Sequence, residues 1–139
     1  MAKSGPILIV EDDEDDVELF EYVLKELNIS NKVAFFRKAD NALHFLRTSV
    51  ENPFLIISDV NLPGMSGLDF KKQIDGDDYL RKKSIPFVLL STSTTEAAVK
   101  KAFTEMAVQG YFEKPILMQE LKKIFRLIIE YWTASCHPY

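Results

Sequence analysis

Short apolar runs alternate with longer stretches of helical spacing along this chain, five times over. The runs Ile7–Val10, Lys32–Phe36, Phe54–Ser58, Phe87–Leu90 and Gln109–Phe112 predict strands. Three of them, Ile7–Val10, Phe54–Ile57 and Phe87–Leu90, are apolar without alternation, the mark of central parallel strands covered on both faces. Between the runs, apolar residues recur every three or four positions. Val17, Phe20, Leu24 and Leu27 make one stripe, and Ala39, Ala42, Leu43 and Leu46 a second. A third runs through Leu68 and on past Gly76, where an acidic stretch blurs its end. The fourth opens on Ser93-Thr94-Thr95-Glu96, a capping-box pattern, and is expected to bury Val99, Ala102, Phe103 and Met106. The last carries Leu117, Leu121, Ile124, Phe125, Ile128 and Trp132.

Strands alternating with helices imply right-handed βαβ crossovers and hence a parallel sheet with helices on both faces. Five such units predict an α/β, flavodoxin-like doubly wound sheet of order 2-1-3-4-5. In that architecture ligands gather outside the carboxyl ends of the strands.

Composition narrows the picture further. A chain of 139 residues, 47% hydrophobic and 27% charged, fits one globular domain. We expect a single domain over 1–139, with a core of about 6–132, a short tail 133–139 and no output domain. A net charge of -4 argues against a nucleic-acid surface. The lone Cys136 leaves no disulfide framework, which fits a reducing, cytoplasmic setting. No apolar run is long enough for a signal-peptide core or a membrane span.

The residues that follow the strands carry the chemistry. Glu11 and Asp12 follow the first, Asp59 the third, Ser91 the fourth and Lys114 the fifth. Singly, each has an ordinary explanation: acids favour helix N-termini, aspartates make turns, serines cap helices and lysines sit on surfaces. The first of these accounts for Asp13 to Asp16 as the opening turn of a helix. It does not account for Glu11 and Asp12, and all these groups at successive strand ends converge on one sheet edge. Three close carboxylates repel unless a cation neutralises them, and an all-oxygen cluster suits Mg²⁺. A carboxylate beside such a metal can act as nucleophile toward a phosphoryl group, with a lysine and a hydroxyl holding the remaining oxygens.

At these positions the sequence resembles the receiver domains of two-component response regulators, over roughly Pro6 to Trp132. Ile7-Leu8-Ile9-Val10-Glu11-Asp12-Asp13 is similar to the acidic-pair motif, and Ser58 to Gly67 to the phosphoacceptor loop. Pro86 to Ser91 matches the strand ending in the switch hydroxyl, and Gly110-Tyr111-Phe112-Glu113-Lys114-Pro115 the segment with the switch aromatic and the lysine. The resemblance implies Asp59 as phosphoacceptor and a Mg²⁺ held by Glu11, Asp12, Asp59 and the backbone carbonyl of Asn61. It further implies Lys114 paired with Asp59, Ser91 and Tyr111 as switch residues, and a cis Lys114–Pro115 peptide. The phosphodonor would be a histidine kinase or histidine phosphotransfer protein. The output would be a changed face of the fourth helix, fifth strand and fifth helix, presented to a downstream protein. Three features depart from the commoner pattern: Glu-Asp for the acidic pair, Ser91 for threonine and Thr92 for alanine. The segment Asp75–Ser84 is also longer than the chemotaxis regulator needs, and reads as an extension of the third helix or its following loop.

On the last helix Leu127 and Tyr131 widen the apolar arc on one side, Met118 and Ile129 on the other. So wide an arc implies a surface for a partner or for a homodimer. Two other functions compete. An aspartyl-phosphate phosphatase would need an acid two residues after the nucleophile, where Asn61 stands and cannot shuttle a proton. A degenerate receiver, acting as a phosphorylation-independent binding module, would not need Asp12, Asp59, Ser91 and Lys114 together. Flavin and P-loop phosphate signatures are absent, and neither His44 nor His137 sits in a phosphodonor motif.

Overall fold

The structure is a computed structural model that describes residues 2–92, 95–105 and 108–136. Five strands form one sheet, β1 (Ile7–Val10), β2 (Val33–Phe36), β3 (Leu55–Asp59), β4 (Phe87–Ser91) and β5 (Gly110–Glu113). All pairings are parallel and the order is β2-β1-β3-β4-β5, as the alternating pattern predicts. The helices are α1 (Glu14–Glu26), α2 (Ala39–Thr48), α3 (Gly67–Asp75), α4 (Asp78–Lys83), α5 (Glu96–Glu105) and α6 (Met118–Ala134).

Side chains alternate across the strands and so feed two cores. One lies under α2, α3, α4 and α5 and takes Leu8, Val10, Ile56, Phe87 and Leu89 from the sheet. The other lies under α1 and α6 and takes Ile7, Ile9, Leu55, Ile57, Val88 and Leu90. Edge-on aromatic pairs lock each layer: Phe20 on Phe125 at 5.1 Å, and Phe70 on Phe87 at 5.5 Å. β1, β3 and β4 are buried along their whole length, whereas β2 is half-buried at every position and β5 is buried only at Gly110.

Several expectations are corrected. The third helical stripe does not run through Gly76. Gly76 ends α3, and the Asp77 carboxylate accepts from the backbone N–H groups of Tyr79 and Leu80, starting the separate helix α4 and sinking Leu80 into the core. The fourth and fifth helices of the pattern are therefore α5 and α6. On α5 only Ala102 is fully buried; Phe103, one step around the helix from it, is 48% exposed. On α6 Leu117 is an exposed N-cap, while Ile129 packs into the core instead of widening an outer arc. The Lys114–Pro115 peptide is trans, the isomer a generic X–Pro bond favours. Ser93, Thr94, Met106 and His137 lie outside the described residues. Thr95 supplies a cap to α5, its hydroxyl accepting from the Ala98 N–H at 3.2 Å.

Candidate functional site

Sheet register decides which side chains can meet. Val10 pairs with Ser58, Asp59 with Leu90, and Ser91 with Glu113, so the residues at or just beyond these pairs share one carboxyl edge. The Lys114 N–H donates to the Ser91 carbonyl at 2.9 Å and extends the β4–β5 ladder by one step. The first turn of α1 closes over the same edge: the Asp13 carboxylate caps it, accepting from the N–H groups of Asp15 at 2.9 Å and Asp16 at 3.2 Å.

Asp59 is held tightly from below. Gly67 donates its N–H to the Val60 carbonyl at 2.9 Å, which brings α3 against the end of β3. A Cβ on Gly67 would stand 2.2 Å from the Asp59 carbonyl oxygen, so only glycine fits this approach. The Asn61 N–H donates to Asp59 Oδ1 at 3.2 Å, fixing the carboxylate's rotamer. The loop from Asn61 to Gly67 turns at Gly64, whose φ of 74° is a left-handed conformation.

Carboxylate oxygens of Glu11, Asp12 and Asp59 lie within 4.8 Å of one another, forming an acidic group of metal-binding dimensions. They line an open cleft of roughly 520 Å³ together with Asp13, Asp16, Asn61, Thr92 and Lys114. Glu11 and Asp59 are buried, while Asp12 is exposed. Into this acid cluster Lys114 projects one ammonium. Its Nζ lies 2.5 Å from Glu11 Oε1, 2.7 Å from Asp16 Oδ2 and 3.2 Å from Asp59 Oδ2.

The electrostatics follow from burial and these contacts. Burial pushes the Glu11 carboxyl up to about 7, with the Asp59 charge adding to it and the Lys114 hydrogen bond opposing it. Burial works to lower the Lys114 pKa, but the hydrogen bonds to Asp16 and Glu11 and the nearby carboxylate charges outweigh it and hold the ammonium well above its ordinary value. The acidic groups offer only oxygen, and the cleft sets five carboxylates, three of them in contact, against one ammonium. Such a set fits a hard divalent cation better than another lysine.

The structure thus brings Glu11, Asp12, Asp59 and Lys114 of the strand-end pattern to one cleft, beside Asn61, which the family resemblance implies. Ser91 is fully buried, and among the described residues the hydroxyl lining the cleft is that of its neighbour Thr92. Tyr111 is half-buried against the α2–α5 core. Asp16 is the member that sequence reasoning missed. It hides in an acidic run that the helix dipole already explains, and only the fold shows its pairing with Lys114.

Comparisons with known proteins agree with this geometry. The model of the response regulator receiver domain matches residues 7–126. Response regulator Rcp1 of Synechocystis sp. is 32% identical over 134 residues, covering 93% of this chain and 89% of that protein. The probable methanogenesis regulatory protein FilR2 of Methanothrix harundinacea is 30% identical over 130 residues, covering 91% of this chain and 82% of its own. Among solved structures, the phosphorylated cyanobacterial phytochrome response regulator RcpA superposes with a TM-score of 0.85 at 28% identity, covering 96% of this chain and 98% of that one. The Mn²⁺-bound form of Rcp1 gives 0.81 at 30% identity, with 96% and 99% covered. The chain belongs to the response regulator receiver domain family of two-component signalling.

Proposed function

We propose that this chain is a phosphorylation-dependent switch that accepts a phosphoryl group on Asp59 from a histidine kinase or histidine phosphotransfer protein. The observation that carries this is the convergence of the Glu11, Asp12 and Asp59 carboxylates around the Lys114 ammonium. Mg²⁺ would be held by Glu11, Asp12, Asp59 and the Asn61 carbonyl; a relative crystallised with Mn²⁺ supports a divalent ion. When bound, the ion neutralises the carboxylates and the incoming phosphoryl oxygens. An Asp59 oxygen forms the new O–P bond as the P–N bond to the donor imidazole breaks, and the imidazole nitrogen keeps the electron pair. The Asn61 N–H fixes the carboxylate for this attack, and Lys114 moves its bond from the carboxylate to a phosphoryl oxygen.

The signal then travels through Ser91 and Tyr111. Phosphoryl oxygens above the cleft floor draw the Ser91 hydroxyl up, and Tyr111 turns into the space behind it. The α5–β5–α6 face changes shape and is read by a downstream protein. Leu127 and Tyr131, both exposed on α6, offer contacts to that partner or to a second copy. The chain acts as a regulator, not as an enzyme turning over outside substrates, and works in the cytoplasm, where the exposed thiol of Cys136 stays reduced.

Incubation with Mg²⁺ and acetyl phosphate, followed by intact mass, tests the reading. A phosphoryl adduct is expected in the wild type and not in Asp59→Asn. No adduct in the wild type would leave the phosphorylation-independent binding module as the better account. Sedimentation of the same samples tests self-association, and a monomer in both states removes the second copy.

A further inference from the structure

Lys114 divides its ammonium among three carboxylates, and Asp59 holds the longest of the three contacts at 3.2 Å. Glu11 and Asp16 hold it closer, at 2.5 and 2.7 Å. These partners are of two kinds. Glu11 and Asp59 belong, with Asp12, to the acidic group of metal-binding dimensions, and Asp16 does not. Asp16 stands instead on the first turn of α1, where its backbone N–H is fixed by the Asp13 cap.

We infer that Asp16 is a positioning residue that holds the Lys114 ammonium at the cleft wall, so that Glu11 and Asp59 can pass to a divalent cation while the lysine stays within reach of Asp59. The inference rests on the proposed metal site. A divalent ion and an ammonium seeking the same two carboxylates exclude each other by like-charge repulsion. A lysine with only Glu11 and Asp59 as partners would either stay and oppose the metal, or swing into solvent and leave the reacting group. A third carboxylate outside the metal's reach removes that conflict. Asp16 offers one, from the first turn of α1 rather than from the end of β1 or β3.

The competing account is that Asp16 merely adds negative field to an acidic cleft. Asp15 separates the two. It carries the same charge on the same turn, is exposed, and is not among the carboxylates paired with Lys114. The test is calorimetric titration of the unphosphorylated protein with Mg²⁺ alone. Asp16→Asn should weaken Mg²⁺ binding on the order of fivefold, a coupling of contacting residues. Asp15→Asn should weaken it by less than about twofold, a screened surface effect. In a Lys114→Met background the effect of Asp16→Asn should shrink toward that of Asp15→Asn. Equal effects of the two substitutions in the wild-type background would overturn the inference, and that comparison stands even if Lys114→Met does not fold. So would an Asp16→Asn effect that persists undiminished without the lysine. A wild type that binds Mg²⁺ but takes no phosphoryl group defeats the proposed function and leaves this inference intact; a wild type that binds no Mg²⁺ overturns both.

Discussion

Two lysines of this chain are largely buried, and they show how differently one ammonium can be used. Lys71 on α3 pairs with Asp75 one turn along its own helix, at 2.9 Å, and lies over the Phe87 ring at 5.5 Å. Lys114 pairs with Glu11, Asp16 and Asp59, which come from the end of β1, from α1 and from β3. The first is a local contact on a helix face, with the stem covering apolar surface. The second ties three elements together through a cluster that is unstable without it. A buried ion pair is weak evidence of function when its partner is four residues away. It carries more when its partners arrive from separate parts of the fold.

Removing the central charge should have the largest effect. Lys114→Met leaves Glu11 and Asp59 buried without their counter-ion, and breaking such an arrangement costs about 3–5 kcal/mol. For a chain of this size that lowers the melting temperature by on the order of 10 °C in the absence of divalent ions. Mg²⁺ should restore much of the loss, because a ligand that binds only the folded state stabilises it by mass action. Thermal melts with and without Mg²⁺ check this. A loss no greater than that of a Lys71 substitution would remove the distinction between the two lysines.

The pH dependence sharpens the same contrast. In the folded protein Glu11 is raised from its ordinary value of 4.5 to about 7. Between these values the folded state holds a proton that the unfolded state has lost, so this group's contribution to stability is greatest below 4.5 and falls as the pH rises toward 7. The full change is on the order of 3 kcal/mol. Asp59→Asn removes the charge that adds to burial in raising Glu11, so the loss should become smaller and occur at lower pH. Adding Mg²⁺ should flatten it too, since a metal favours the ionised carboxylate. Denaturant unfolding at several pH values, without divalent ions, measures this. A wild-type contribution that rises from pH 5 to 7, with no response to Asp59→Asn, would contradict the assignment.

The two lysines also differ in how readable they were in the sequence. The strands and their order were legible because Ile7–Val10, Leu55–Ile57 and Phe87–Leu90 are covered on both faces and cannot alternate. Strand ends then placed Glu11, Asp59 and Lys114 on one edge without any knowledge of side chains. Asp16 was not legible, because dipole and metal-cleft readings of an acidic first turn look the same along the chain. Helix faces were misread where one residue's turn of about 100° decides exposure. Ile129 went inward while Phe103 and Leu117 stayed out. The break at Gly76-Asp77 was missed because an aspartate after a glycine can end a helix or start another. Burial of Leu80 settles which.

The smallest effect belongs to Lys71→Met. Methionine keeps the length and apolar stem that fill the space beside Phe87, and it adapts to irregular packing. What is lost is one ion pair to Asp75, whose carboxylate is 38% exposed and can be hydrated instead. The pair also runs in the less favourable direction, with the lysine nearer the helix N-terminus. The expected change in stability is within about 1 kcal/mol, the range of volume-conserving swaps and exposed ion pairs. Because Asp75 stands apart from Glu11, Asp12 and Asp59, Mg²⁺ affinity should not move. Melts and a Mg²⁺ titration of this one variant suffice. A changed Mg²⁺ affinity would mean that Lys71 senses the cleft through Phe87 and β4, and the division between a local and a central ammonium would fail.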